Sequence, residues 1–148
     1  MRLGLALITL AAVGCSEEWG PEPIRTTTVR GRIVRGSRPI GSGWVEIAPV
    51  DGTRGGLRTG PLRPDGSFEI GSVGIGRVLI GLVRAPVGPL PTSGGLTDGA
   101  SYFHSYSSPI RRPIRPDAAV PLVIDLDREV AGVQQDGRGS APGGTEPP

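Results

Sequence analysis

The sequence predicts a single small all-β domain. Short apolar runs alternate with polar residues at period two, the spacing of a strand with one buried face. Glycine and proline, 25 and 16 of the 148 residues, cluster between those runs as turn residues do. An apolar leader and a polar C-terminal stretch leave roughly 100 residues for folding, enough for one modest core.

Met1-Arg2 supplies a positive start, and Leu3 to Val13 is an apolar run of 11 residues. That length suits a secretory signal and is too short to span a bilayer as a helix. Ala12-Val13-Gly14-Cys15 then resembles a lipobox, with small residues ahead of a cysteine and Ala12 where Leu is usual. Residues 1–14 are therefore expected to be a lipoprotein signal peptide, with lipid on the Cys15 thiol. Cys15 is the only cysteine, so no disulfide can form within the chain. Residues 15–25, acidic and bearing two prolines, read as a lipidated tether. The expected location is the cell envelope, with the chain lipid-anchored to a membrane and facing periplasm or exterior.

The folded unit is expected over residues 26–130. In Thr28 to Val34, the residues Val29, Gly31 and Ile33 share one face, with Arg30 and Arg32 on the other. Arg35 to Gly43 is turn chemistry. Trp44 to Pro49 alternates again, with Val45 and Ile47 inward and Glu46 outward. A glycine-rich loop and a short extended piece, Leu57 to Leu62, follow. Pro64-Asp65-Gly66 makes a tight turn into Ser67-Phe68-Glu69-Ile70, with Phe68 and Ile70 inward. Arg77 to Arg84 is apolar on both parities, as a central strand is. Leu122 to Leu126 is the last expected strand, with Leu122, Ile124 and Leu126 inward. Residues 131–148 lack apolar periodicity, and from Gln134 they are Gly, Pro and polar residues, the composition of a disordered tail.

Between these, residues 85–119 are expected to form an inserted loop. Ser101 to Tyr106 reads as a further strand within it, and the Pro-rich run Pro109 to Pro116 does not.

Val29-Arg-Gly-Arg-Ile-Val-Arg-Gly36, Pro39-Ile-Gly, Trp44-Val-Glu-Ile-Ala-Pro49, Pro64-Asp-Gly-Ser-Phe68 and Gly74-Ile-Gly76 occur in that order. In this they resemble the carboxypeptidase regulatory-like, or transthyretin-like (prealbumin-type), domain. The resemblance covers about Thr26 to Arg84, with Leu122 to Leu126 as a closing strand. It implies a Greek-key β-sandwich of about seven strands and says almost nothing of function, since such sandwiches host many roles.

Composition narrows the chemistry. All 16 basic residues are Arg, and Lys and Asn do not occur. Loss of Arg2 with the leader leaves 15 Arg against 14 acids, a near-neutral chain with no general pull toward nucleic acid. Isopeptide crosslinks between Lys and Asn are excluded. His104 is the only histidine, so an iron site of the two-Tyr, two-His kind found in intradiol dioxygenases cannot be completed. Gly137-Arg-Gly-Ser140 matches the end of the transthyretin-related hydrolase motif only without its Tyr. No nucleophile-elbow pattern is present. Asp125 and Asp127 read as solvated charges at a strand edge.

No cofactor, metal or catalytic residue is expected. Tyr102, His104 and Tyr106, which would share one face of a strand, form a candidate contact patch with Arg111, Arg112 and Arg115, since Tyr and Arg are common interface anchors. The alternative for the three aromatic positions is that they cap one end of the core. The expected function is a non-enzymatic binding or structural module of the envelope. Its expected partners are the membrane, through the lipid, and an envelope protein or polysaccharide. The alternative is an enzyme or an enzyme's accessory subunit on the same fold.

Overall fold

The computed structural model describes residues 22–92, 94–116 and 120–136. Its elements are β1 (Thr26–Arg35), β2 (Arg38–Pro39), β3 (Trp44–Pro49), β4 (Arg58–Pro61), β5 (Ser67–Gly74), β6 (Gly76–Val83), β7 (Pro89–Thr92), β8 (Gly95–Asp98), α1 (Gly99–Tyr102), β9 (Arg111–Ile114), β10 (Leu122–Asp125) and α2 (Leu126–Asp136).

β1 keeps its alternation: Val29, Gly31 and Ile33 are buried while Arg30 and Arg32 are exposed. It is the hub of the first sheet. β5 runs antiparallel beside it, from Thr26 opposite Gly74 to Arg32 opposite Ser67. β10 runs parallel on the other side, from Gly31 opposite Leu122 to Val34 opposite Asp125. β2 folds back on the end of β1. Gly31 is required at this crowded place. A Cβ there would stand 2.6 Å from the Phe68 ring and 2.7 Å from the Leu122 carbonyl oxygen.

The second sheet has the order β4-β3-β6-β9, antiparallel throughout. β6 is central, and its doubly apolar sequence is spent on both faces. Val78, Ile80 and Leu82 enter the shared core. Leu79 and Gly81, on the opposite parity, are buried as well. β9 is an edge strand, which explains how it holds Pro113: a residue without an N–H is tolerated there. β7 and β8 form a separate two-stranded ribbon.

The two sheets enclose one core. Val29, Ile33, Phe68, Ile70 and Ile124 come from the first sheet, and Val45, Ile47, Val78, Ile80, Leu82 and Ile114 from the second. The tight turn before β5 forms as expected. Gly66 takes φ +79°, and Asp65 Oδ1 accepts from the Ser67 N–H at 3.0 Å and from its hydroxyl at 2.7 Å.

Six expectations are corrected. The chain is mostly β but not all-β, because α1 and α2 are helical. Leu126 does point inward, but as the first residue of α2. The stretch expected to begin a tail is helical as far as Asp136, because Leu126 and Val130, one helical turn apart, are both buried. Asp125 Oδ1 accepts the Asp127 N–H at 3.2 Å and so caps the helix start. Ser101 to Tyr106 is not a strand: Asp98 caps α1, accepting from the Ser101 N–H and hydroxyl at 3.0 and 2.8 Å. The Pro-rich run does hold a strand, β9. Finally, the described residues between 85 and 116 carry β7, β8, α1 and β9 rather than a loop without elements. The signal segment 1–14, Cys15, the start of the tether through 21 and the tail from 137 lie outside the described residues.

Candidate functional site

The residues singled out from sequence do not gather into one patch. Phe103, between two of them, is fully buried. Its carbonyl accepts the Leu82 N–H at 2.7 Å, which fixes the segment along the edge of β6. The Ser108 hydroxyl donates to the Ile80 carbonyl at 2.6 Å and continues that seam. Tyr102 packs partly buried against the core, edge-on to the Phe103 ring at 5.1 Å. His104 and Tyr106 lie instead on an outward turn, closed by Ser107 and Ser108 N–H bonds to the His104 carbonyl at 3.2 and 3.0 Å. Tyr106 is 76% exposed and takes φ +59°, a conformation that disfavours a side chain.

The three arginines also divide. Arg111 and Arg115 are exposed, whereas Arg112 is half-buried and paired with Glu129 of α2. Arg112 therefore ties β9 to the helix. Asp125 and Asp127 have structural work too. Asp125 Oδ1 accepts the Gly36 N–H at 3.0 Å, and Asp127 pairs with Arg35 at 3.1 Å. Among the described residues, no group of three or more His, Cys, Asp or Glu side chains stands close enough to hold a metal. No described helix is long and apolar enough to cross a membrane.

Carboxylates at exposed turns are held ionised by local donors. The Ser101 hydroxyl, with the Ser101 and Ala100 N–H groups, lowers the Asp98 pKa below the ordinary aspartate value. The Ser67 hydroxyl and N–H do the same for Asp65. Arg30 lowers that of Glu69 by a hydrogen bond and by its charge. Each of these shifts serves a turn or a strand pair.

The convergence that sequence reasoning missed lies on the outer face of the second sheet. Val45 and Ile47 point into the core, so Trp44 and Glu46 point out. Trp44 is opposite Pro61 on one side and Val83 on the other, and Glu46 is opposite Thr59 and Gly81. Trp44, Glu46, Thr59, Val83 and Arg84 line one shallow depression. Arg84 also borders a second depression with Ser101, His104 and Ser107, so His104 of the expected patch is a neighbour of this surface.

Trp44 is 46% exposed. Among the described residues, the side chains of Trp44, Glu46, Thr59 and Arg84 make no hydrogen bond or ion pair with the protein. The backbone beneath them is tightly set. Gly43 has φ +99°, and a Cβ there would come 2.8 Å from the Arg84 carbonyl oxygen and the Ala85 backbone. Arg84 itself takes φ +53°, the kind of local strain that collects at functional sites. The signal for this site was an aromatic residue at an outward position of β3.

Comparison of the chain with protein-family models, with curated proteins and with solved structures finds no match.

Proposed function

We propose that the chain is a lipid-anchored protein of the cell envelope whose two-sheet unit is a non-catalytic binding or structural module, a Greek-key β-sandwich of the carboxypeptidase regulatory-like, transthyretin-like kind. The order of elements supports that kinship. The chain passes from β1 to β3 and β4 in the other sheet, back to β5, across again to β6 and β9, and returns with β10 beside β1. Cys15, behind its apolar run, supports the anchor.

One observation carries the binding role. Arg35, Arg112, Asp125, Asp127 and Glu129 are spent on joining elements, while Trp44, Glu46, Thr59 and Arg84 converge on the surface with no internal partners. Side chains ordered around an aromatic residue and left unpaired are what a binding surface offers.

Two experiments test the reading. A fatty-acid probe fed to bacteria expressing the protein should label the wild type and not Cys15→Ser; label on the variant, or none on the wild type, removes the anchor. Affinity capture from detergent-solubilised membranes should lose bound material on Trp44→Ala. An unchanged profile removes the binding role from this surface.

A further inference from the structure

The geometry points to a saccharide site: granted the binding role proposed above for the Trp44 surface, its ligand is a pyranose ring with equatorial hydroxyls, as part of a neutral or N-acetylated glycan. Such a ring has two chemically different parts. Its faces are patches of C–H groups, and its rim is a ring of hydroxyls that both donate and accept. The Trp44 depression has the matching parts. The indole is a wide apolar plane with an electron-rich face, suited to stacking on polarised C–H groups. Glu46 accepts from hydroxyls, the Arg84 guanidinium donates from a fork that spans two neighbouring oxygens, and the Thr59 hydroxyl does either.

Charge separates this ligand from its rivals. Glu46 and Arg84 cancel, so the depression has no net charge to favour an acidic polymer or an anionic headgroup. An apolar peptide side chain would cover Trp44 but strip water from Glu46 and Arg84 without replacing its hydrogen bonds, which is costly. Sugar hydroxyls replace them. The site is shallow and lies on a sheet face rather than at a chain end. On the Gly81 side the Ser105 backbone covers the sheet, 3.0 Å from where a Cβ would lie, and the shallow remainder suits one ring of a glycan rather than an enclosed free sugar. Its frame is preformed, since the Gly43 backbone against Arg84 and Ala85 sets Trp44 beside Arg84 before any ligand arrives.

The test uses the full-length lipidated protein in a detergent without a sugar headgroup, since a glycosidic detergent would compete. Trp19→Phe leaves Trp44 as the sole indole reporter, because the chain has two Trp. Cellotetraose and the tetramer of N-acetylglucosamine are titrated against its emission. Mannitol serves as control, an acyclic polyol with the hydroxyls but no ring face. A saturable change with at least one tetrasaccharide and none with mannitol is expected. Glu46→Gln and Arg84→Gly should each weaken it roughly tenfold or more. Glycine at position 84 tolerates the positive φ, so Arg84→Gly should keep its melting temperature.

Silence with both tetrasaccharides, an equal response to mannitol, or unchanged affinity in both variants overturns the saccharide assignment. The capture experiment separates that failure from a wider one. If titration fails but Trp44→Ala still loses captured protein, the surface binds and the ligand class is wrong. If neither changes, both readings fall.

Discussion

The Arg35 guanidinium joins the Asp127 carboxylate at 3.1 Å across 92 residues of sequence. The same side chain donates to the Val87 carbonyl at 2.7 Å and the Pro89 carbonyl at 2.9 Å. One residue at the end of β1 thus fastens the first turn of α2 and the chain entering β7. Arg serves here because its planar fork presents several donors in fixed directions.

Arg35→Ala should therefore destabilise the fold more than Asp127→Ala does. The first removes bonds to two carbonyls and the ion pair, a loss of about 1–3 kcal/mol. The second removes only a half-exposed pair, worth about 0.2–1 kcal/mol. Thermal melts of the two variants decide this, and equal losses would reduce Arg35 to its ion pair.

Gly31→Ala should cost about 1–3 kcal/mol through overpacking. Shortening the obstructing ring with Phe68→Leu should recover only part of the loss, because the Leu122 carbonyl, a backbone atom of β10, still blocks the new methyl. A double-mutant cycle in denaturant would show it. Full recovery would mean that β10 gives way.

Tyr102 and Tyr106 should respond oppositely. Tyr102→Ala removes packing against the core and Phe103, and should lower stability by about 2–4 kcal/mol. Tyr106→Gly relieves a left-handed backbone conformation at an exposed site and should leave the melting temperature unchanged or raise it, by up to about 1 kcal/mol of stability. Equal losses at both would place Tyr106 in the core as well.

Acid should weaken the cap of α1. The Asp98 carboxyl titrates below its ordinary value in the folded protein, so its contribution is present above the unfolded pKa, about 3.9. It is lost as pH falls through the lower folded value. Asp65 and Glu69 act in the same direction. The melting-temperature gap between wild type and Asp98→Ala should hold steady from about pH 5 to 8 and close below about pH 4. A gap that widens on acidification would reverse the assigned sign.

The strands were legible where their signal is local. Val29, Gly31 and Ile33, Val45 and Ile47, and Phe68 and Ile70 face inward as their alternation requires. The Pro64-Asp65-Gly66 turn is closed by its immediate neighbours Arg63 and Ser67. The helices were hidden for different reasons. α1 is a single turn, and its capping residue Asp98 lies in a stretch rich in turn residues. In α2, Leu126 closes an expected strand and Val130 is the last residue ahead of the expected tail, so their helical spacing falls within neither pattern.

The apolar faces of β1, β3 and β5, the Pro64-Asp65-Gly66 turn and the outward aim of Trp44 are written in the local sequence. These depend on backbone geometry and on neighbours a few residues away. The parallel pairing of β1 with β10, the partnering of Arg112 with Glu129 and of Arg35 with Asp127, and the meeting of Trp44 and Arg84 in one depression arise from long-range packing. Those partners are 17 to 92 residues apart in the Arg112 and Arg35 pairs. Nothing in the local chemistry of an arginine chooses its partner; the stacking of two sheets, driven by burial of their apolar faces, brings the charges into reach.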